Sequence, residues 1–317
     1  MNADQKTTNI KFVDRLLKGG TKPSGVYGIL GPRRVGKSVL ATMIAAKGST
    51  GESIFTTPLY SQLPWIFIDL NNRRSLTVQR TLSHLGLIRR DAVDHVSDVI
   101  QTYEKERQLD LPTENGWIIP SSERRDLAFK AVYKQLFLIA DDDEHPSFSS
   151  VSTQEWISGQ VSQFACDQRG TGGIVIDGAQ QVWRASKNAT KLTECEFLEQ
   201  LVSNFCRRLA EEYQCPLWIT LPICEMHFDC PPATQLTHHD ASDCKSFANG
   251  MDACLVMGTQ SQVTPEHLFS IKCTKGDLGL DSGDRILLKH DRHFSTIVEA
   301  EGYVEDHANQ DWKKVTA

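Results

Sequence analysis

The segment Gly31-Pro32-Arg33-Arg34-Val35-Gly36-Lys37-Ser38 fits the pattern GxxxxGK[ST] at every fixed position. That spacing suits one chemistry. The glycines let successive backbone amides close around phosphate oxygens, Lys37 is placed to reach the β- and γ-phosphates of a nucleotide, and the Ser38 hydroxyl to ligate Mg²⁺. A helix opening at Ser38 turns the positive end of its dipole toward the same phosphates. Pro32, Arg33, Arg34 and Val35 fill the loop, and the two arginines add positive charge to it. By residue frequencies alone the pattern arises in roughly one chain of this size per hundred, so the flanking sequence has to decide. A metal held there needs a carboxylate at the end of a neighbouring strand, and Ile174-Val175-Ile176-Asp177 supplies one. ATP is the expected ligand, Mg²⁺ the expected cofactor, and Asp177 the second protein group at the metal.

The elements that must hold these groups are legible on both sides of the loop. Gly25-Val26-Tyr27-Gly28-Ile29-Leu30 is a glycine-bounded apolar run that predicts a buried strand. Ser38 to Lys47 is rich in helix formers and holds no Gly or Pro. Trp65 to Leu70 predicts a second strand, and Val78 to Leu85 and Asp91 to Gln108 carry helical spacing. Trp117-Ile118-Ile119 reads as a short strand, and Glu123 to Ala140 as an amphipathic helix running into an acidic loop that ends near Ser152. Gly172 to Asp177 predicts the third long strand, Glu196 to Tyr213 a helix, and Leu217 to Leu221 the fourth strand. Strand-like runs follow at Ala253 to Met257, Leu268 to Cys273, Arg285 to Lys289 and Ser295 to Glu299. The alternation predicts an α/β fold with a mostly parallel central sheet, helices on both faces and antiparallel strands at the C-terminal end. One core over 25–299 is expected, with a helical and acidic insertion near 120–152, an N-terminal arm at 1–24 and a tail at 300–317.

Composition narrows the class further. Of 317 residues, 40% are hydrophobic and 23% charged, which excludes collagen-like, disulfide-scaffold and wholly disordered chains. Lys and Arg number 34 against 40 Asp and Glu, a formal charge of -6. That balance argues against a surface coated in positive charge for indiscriminate nucleic-acid binding and leaves room for a local basic groove. No apolar run approaches the ~18 residues of a membrane span, and Met1 to Phe12 lacks the apolar core of a secretory leader. The expected compartment is the cytoplasm. All 9 cysteines fall between Cys166 and Cys273 without paired CxxC spacing, as reduced thiols would.

Beyond the phosphate motifs, further blocks resemble the hexameric RecA-fold ATPases, namely the DnaB-type replicative helicases and the smaller RepA-type plasmid helicases. Ile174 to Trp183 resembles their Walker B strand, and Arg207 to Pro222 is similar to their helix and following sensor strand. Phe247 to Met257 and Phe269 to Gly279 resemble their last strands, and Leu82-Ser83-His84-Leu85-Gly86 looks like the RepA-type pattern. The resemblance runs from about Gly25 to Glu299. It implies a RecA-like core, ATP hydrolysis, and a homo-oligomeric ring, a hexamer, acting on single-stranded DNA as a helicase or translocase in replication or recombination. In such rings a neighbour's basic residues complete the site. Lys272 falls on the family's lysine position with Lys275 nearby, the arginine position holds Thr274, and Arg285 and Arg292 stay unassigned.

The departures from the family are specific. Family members place a catalytic Glu just beyond the second strand, where this chain reads Asp69-Leu70-Asn71-Asn72-Arg73. Asp69 is the nearest carboxylate and the candidate base, with Asn72 in the Glu position. The sensor strand ends in Leu221-Pro222 where a polar γ-phosphate sensor is expected. These losses support a second reading, a weakly hydrolysing ATP-dependent switch or loader that works through protein partners.

The resemblance places DNA against the loops after the third and fourth strands. The first holds Arg184, Lys187 and Lys191 against Glu194, with the Trp183 ring alongside for base stacking. The second, Cys224 to Gly250, carries Glu225, Asp229, Asp240 and Asp243 against Lys245, a poor surface for a phosphate backbone. It also gathers Cys224, His227, Cys230, His238, His239, Asp240 and Cys244, whose spacing fits no zinc module, so no zinc site is assigned.

Overall fold

The glycine-bounded run after residue 24 becomes strand β1 (Val26–Gly31), buried along its whole length. The computed structural model describes residues 6–51, 62–71, 74–86, 136–140, 153–168, 170–186, 190–223, 247–259, 268–276, 285–291, 295–301, 303–306 and 311–314. Joining β1 are β2 (Trp65–Asp69), β3 (Leu136–Ala140), β4 (Gly173–Asp177), β5 (Leu217–Pro222), β6 (Ala253–Thr259), β7 (Leu268–Gly276), β8 (Arg285–Asp291) and β9 (Thr296–Glu299). They form a 9-stranded sheet in the order β3-β2-β4-β5-β1-β6-β7-β8-β9. Neighbours from β3 to β6 pair parallel, and β7 to β9 add antiparallel. This is the expected α/β architecture. Parallel strands covered on both faces read as continuous apolar runs, which is why β1, β2, β4 and β5 stand out in the sequence.

Alternate residues of each strand feed two cores. Tyr27, Ile29, Trp65, Phe67, Val175 and Trp218 face a cluster with α1 (Lys11–Leu16), α2 (Lys37–Thr50) and α3 (Arg74–Gly86). Tyr27 and Trp218 stack there with ring centroids 4.8 Å apart. Val26, Leu30, Ile66, Ile68, Ile174, Ile176, Ile219 and Leu221 face the other cluster. That face is covered by α4 (Thr153–Gln168), α5 (Ala179–Ser186) and a continuous helix of three parts. Its parts are α6 (Glu194–Gln200), a π-helical segment (Leu201–Cys206) and α7 (Arg207–Glu212). Cys206 and Cys215 are buried reduced thiols, and burial pushes the Cys215 thiol up to about 12.

Two expectations change here. The helix predicted over Glu123 to Ala140 does not reach its end, because Leu136–Ala140 is edge strand β3, in parallel register Trp65↔Leu136 through Asp69↔Ala140. Leu136-Phe137-Leu138-Ile139-Ala140 is a short apolar run, and periodicity alone cannot tell such a run from a helix end. The predicted insertion thus contributes a strand to the sheet. The rest of it lies outside the described residues, as do the helix at Asp91 to Gln108 and the strand at Trp117 to Ile119. At the N-terminus the polar arm contains α1, whose Phe12, Val13 and Leu16 are buried in the core beside Ile10 and Leu17. Its Asn9 side chain donates to the Lys47 carbonyl at 3.0 Å. The tail holds a hairpin of β10 (Tyr303–Asp306) and β11 (Asp311–Lys314).

The end of the sheet opposite the phosphate loop is closed by one carboxylate. Asp252 accepts from the Val26 amide at 2.7 Å and pairs with Arg207 at 2.8 Å, while Arg207 also donates to the Gly250 carbonyl at 2.7 Å. This ties the starts of β1 and β6 to the helix behind them.

Candidate nucleotide-binding site

The loop between β1 and α2 takes the backbone geometry its glycines permit. Gly36, at φ 100°, sits left-handed at the N-cap of α2, where a side chain would be strained. Arg34 also takes a positive φ of 67°, so the loop folds tightly under its own arginines. The Lys37 ammonium donates to the Gly31 and Pro32 carbonyls at 2.8 and 2.7 Å, holding the side chain back across the loop. Val35 is buried, whereas Arg33 and Arg34 are exposed.

Opposite the loop stand the C-terminal ends of β2, β4 and β5. In parallel register Asp69 lies beside Asp177, and Ile176 beside Ile219. Strand alternation turns Asp69, Asp177 and Thr220 toward the face that carries α2. Asp177 is fully buried. Its Oδ1 accepts from the Thr220 hydroxyl at 2.5 Å and from Asn71 Nδ2 at 3.1 Å. Thr220 Oγ1 in turn accepts from the Gly178 amide at 2.9 Å. Asp177 Oδ2 is buried with no hydrogen-bond partner. A buried carboxylate oxygen held in place and left unsatisfied is costly unless a cation or its water shell completes it. The oxygen donors thus fit Mg²⁺, with Asp177 and the Ser38 hydroxyl as the groups to hold it.

Loop and strand ends enclose a cleft of about 420 Å³. Arg33, Arg34, Gly36, Lys37 and Ser38 form one wall, and Asn71, Gly178, Gln180, Gln181, Arg184 and Thr220 the other. Arg80 of α3 and His290 of β8 also reach it. Among these lining residues there is no carboxylate, and the potential is strongly positive, as a polyphosphate site requires.

The sequence-predicted residues distribute unevenly over this geometry. The loop and Asp177 converge. Asp69 does not line the cleft: it is 1% exposed and accepts from the Asn71 amide at 2.9 Å and the Thr77 hydroxyl at 2.6 Å. Beyond β2 the residue that reaches the cleft is Asn71, while Asn72 lies outside the described residues. The polar group on the sensor strand is Thr220, one residue before Leu221-Pro222. Its signal was present, as the lone polar side chain in an otherwise apolar strand in register with Asp177. Arg80, Gln180, Gln181 and His290 carried no local signal, because distant segments bring them in.

Arg184 sits on helix α5 at the rim of the cleft, not on a loop, and Lys191 is exposed beyond that helix. Lys187 lies outside the described residues. Trp183 is engaged with the core, packed on Phe197 with ring centroids 5.4 Å apart, so the stacking role expected for it is not supported. Lys272 and Lys275 both belong to β7, opposite Val256 and Cys254 of β6, and neither lines this chain's own cleft. The Cys224 to Cys244 cluster lies outside the described residues.

No protein-family model matches the chain, and no curated protein matches it in sequence. Solved structures do match it in fold. One, the isolated ATPase domain of a DnaB-like replicative helicase, aligns with a TM-score of 0.66 at 11% identity, over 95% of this chain and 94% of that one. A second DnaB-like replicative helicase, solved in a study of its interactions with primase, aligns with the same score and identity over 95% of this chain and 65% of its own. No helix among the described residues is long and apolar enough to cross a membrane. The fold is therefore that of RecA-like helicase ATPase domains, and the chain resembles them in architecture from end to end.

Proposed function

We propose that the chain is an ATP-binding, Mg²⁺-dependent ATPase of the RecA-like motor class, which assembles as a homo-oligomeric ring and acts on single-stranded DNA as a helicase or translocase in replication or recombination. One observation carries the reading: Lys37 and Ser38 face the unsatisfied Oδ2 side of Asp177 across one cationic cleft. The fold it shares with helicase ATPase domains supports the motor part. In the ring, Lys272 and Lys275 of one subunit are assigned to the neighbour's cleft, and Arg184, Lys187 and Lys191 to the DNA path. Hydrolysis should rise at least several-fold with single-stranded DNA and disappear in Lys37→Ala. Turnover indifferent to DNA would remove the motor from the proposal.

A second reading is favoured by the cleft lining itself. Asn71, Gln180 and Gln181 stand where a base is needed, which suits a switch or loader that changes partners with its nucleotide state. ATP-dependent oligomer size with little turnover supports that reading; sedimentation unchanged by ATP counts against it.

A further inference from the structure

The step that the cleft must catalyse makes a demand on its lining. When ATP is hydrolysed, the water oxygen bonds to the γ-phosphorus as the bond from that phosphorus to the β,γ-bridging oxygen breaks, its electron pair leaving with ADP. The water must also lose a proton, and a nearby carboxylate is the usual acceptor. An amide orients the water but does not take its proton, which then passes to a phosphate oxygen or to solvent. Ras-type sites, where an amide positions the water, turn over unassisted at roughly 10⁻⁴ to 10⁻³ per second.

The described lining holds amides at Asn71, Gln180 and Gln181, hydroxyls at Ser38 and Thr220, five Lys and Arg side chains and His290. Asp69 is turned to the Asn71 backbone and Thr77. Asp177 is clamped through Oδ1 by Thr220 and Asn71, which leaves Oδ2 toward the metal. Asn71 therefore commits its amide to the carboxylate that holds Mg²⁺. Gly178 leaves room for this contact, because a Cβ there would lie 2.9 Å from the Asn71 side chain.

We infer that Asn71 is a positioning residue that fixes Asp177 for Mg²⁺ and, standing in place of a base, makes the isolated chain a slow hydrolase that retains its triphosphate. The inference rests on the magnesium-nucleotide site proposed above. It predicts a dwell time of minutes for bound ATP, so that hydrolysis is gated by whatever DNA or a neighbouring subunit adds to the cleft.

The test uses the full chain and the fluorescent analogue mant-ATP, with and without Mg²⁺, and single-turnover hydrolysis of ATP. Asn71→Ala should lose about 10-fold of the affinity gained from Mg²⁺ and leave the metal-free affinity unchanged, with Asn71→Gln restoring part of it. The wild-type chain should hydrolyse ATP below about 10⁻² per second. Asn71→Asp, or Asn71→Glu if the shorter acid disturbs the fold, should be faster by on the order of 10²-fold. Wild-type turnover near 1 per second or above would overturn the inference. So would acid variants that bind mant-ATP but turn over no faster, or an Asn71→Ala with unaltered Mg²⁺ dependence. Absence of mant-ATP binding by the wild-type chain would overturn the nucleotide site itself, whereas tight binding with fast turnover overturns this inference alone.

Discussion

Lys37 reaches back to two loop carbonyls, a geometry in which a triphosphate must compete for the ammonium and gains charge-assisted bonds in exchange. Lys37→Ala should weaken mant-ATP binding by about 10- to 100-fold, the scale of one or two hydrogen bonds to a charged partner, while the thermal midpoint moves little. His84 gives a different kind of prediction. It is buried on α3 with Nδ1 3.1 Å from the Thr296 hydroxyl, and burial, helped by the Lys47 charge, lowers its pKa from 6.5 to about 3. The unfolded chain therefore binds a proton near pH 6.5 that the folded chain refuses until about pH 3. Stability is fully present above pH 6.5 and falls as pH drops through that window, by up to about 1.4 kcal/mol per unit. Urea titrations at pH 7 and pH 5 should show the loss, and His84→Gln should remove much of the difference; an unchanged slope would place the histidine in water. At this scale the sequence told much about residues tied to a local pattern, such as the Gly31 to Ser38 loop and Asp177. It told little about Asn71, Arg80 and Thr220, whose meaning comes from strand register and from distant segments meeting.

At the scale of elements, the helix starting at Glu194 is set by a capping box. Thr193 accepts from the Glu196 amide, and Glu196 returns a bond from its carboxylate to the Thr193 amide at 2.8 Å. These bonds hold the Glu196 carboxyl below its usual pKa. Thr193→Ala should cost about 1 kcal/mol, read as a lower urea midpoint with unchanged cooperativity. The cost bears on the site because the same helix backs β5 and anchors Arg207 on Asp252. Strands β1, β2, β4 and β5 were readable because burial on both faces leaves no polar position to interrupt them. Strand β3 was not, since Leu136 to Ala140 follows a helical pattern without a turn residue between. Helix α1 was hidden for the opposite reason. Only four buried apolar residues, Phe12, Val13, Leu16 and Leu17, stand among polar neighbours there, and a single turn-and-a-half gives periodicity little to count.

For the whole molecule the formal charge of -6 matters less than where the cations stand. The nucleotide cleft concentrates Arg33, Arg34, Lys37, Arg80 and Arg184 without a lining carboxylate among the described residues, so much of the basic charge faces a polyphosphate. Arg184 is then claimed by two surfaces, the cleft and the proposed DNA path, and charge reversal separates them. Arg184→Glu should weaken mant-ATP and single-stranded DNA together, because its helix borders the cleft. Lys191→Glu, exposed and beyond that helix, should weaken DNA alone and lower the slope of log affinity against log salt by about 0.7, the value of one phosphate contact on a single strand. Fluorescence anisotropy of a labelled oligonucleotide between low and moderate salt, run beside mant-ATP titrations, reads both quantities on the same preparations. If Lys191→Glu leaves both slope and affinity intact, DNA does not run past the start of α6. If Arg184→Glu spares the nucleotide, the arginine belongs to the outer surface and the cleft ends at Thr220. Each result reassigns a named residue, because the two ligands carry the same charge but only one of them fits between β4 and the phosphate loop.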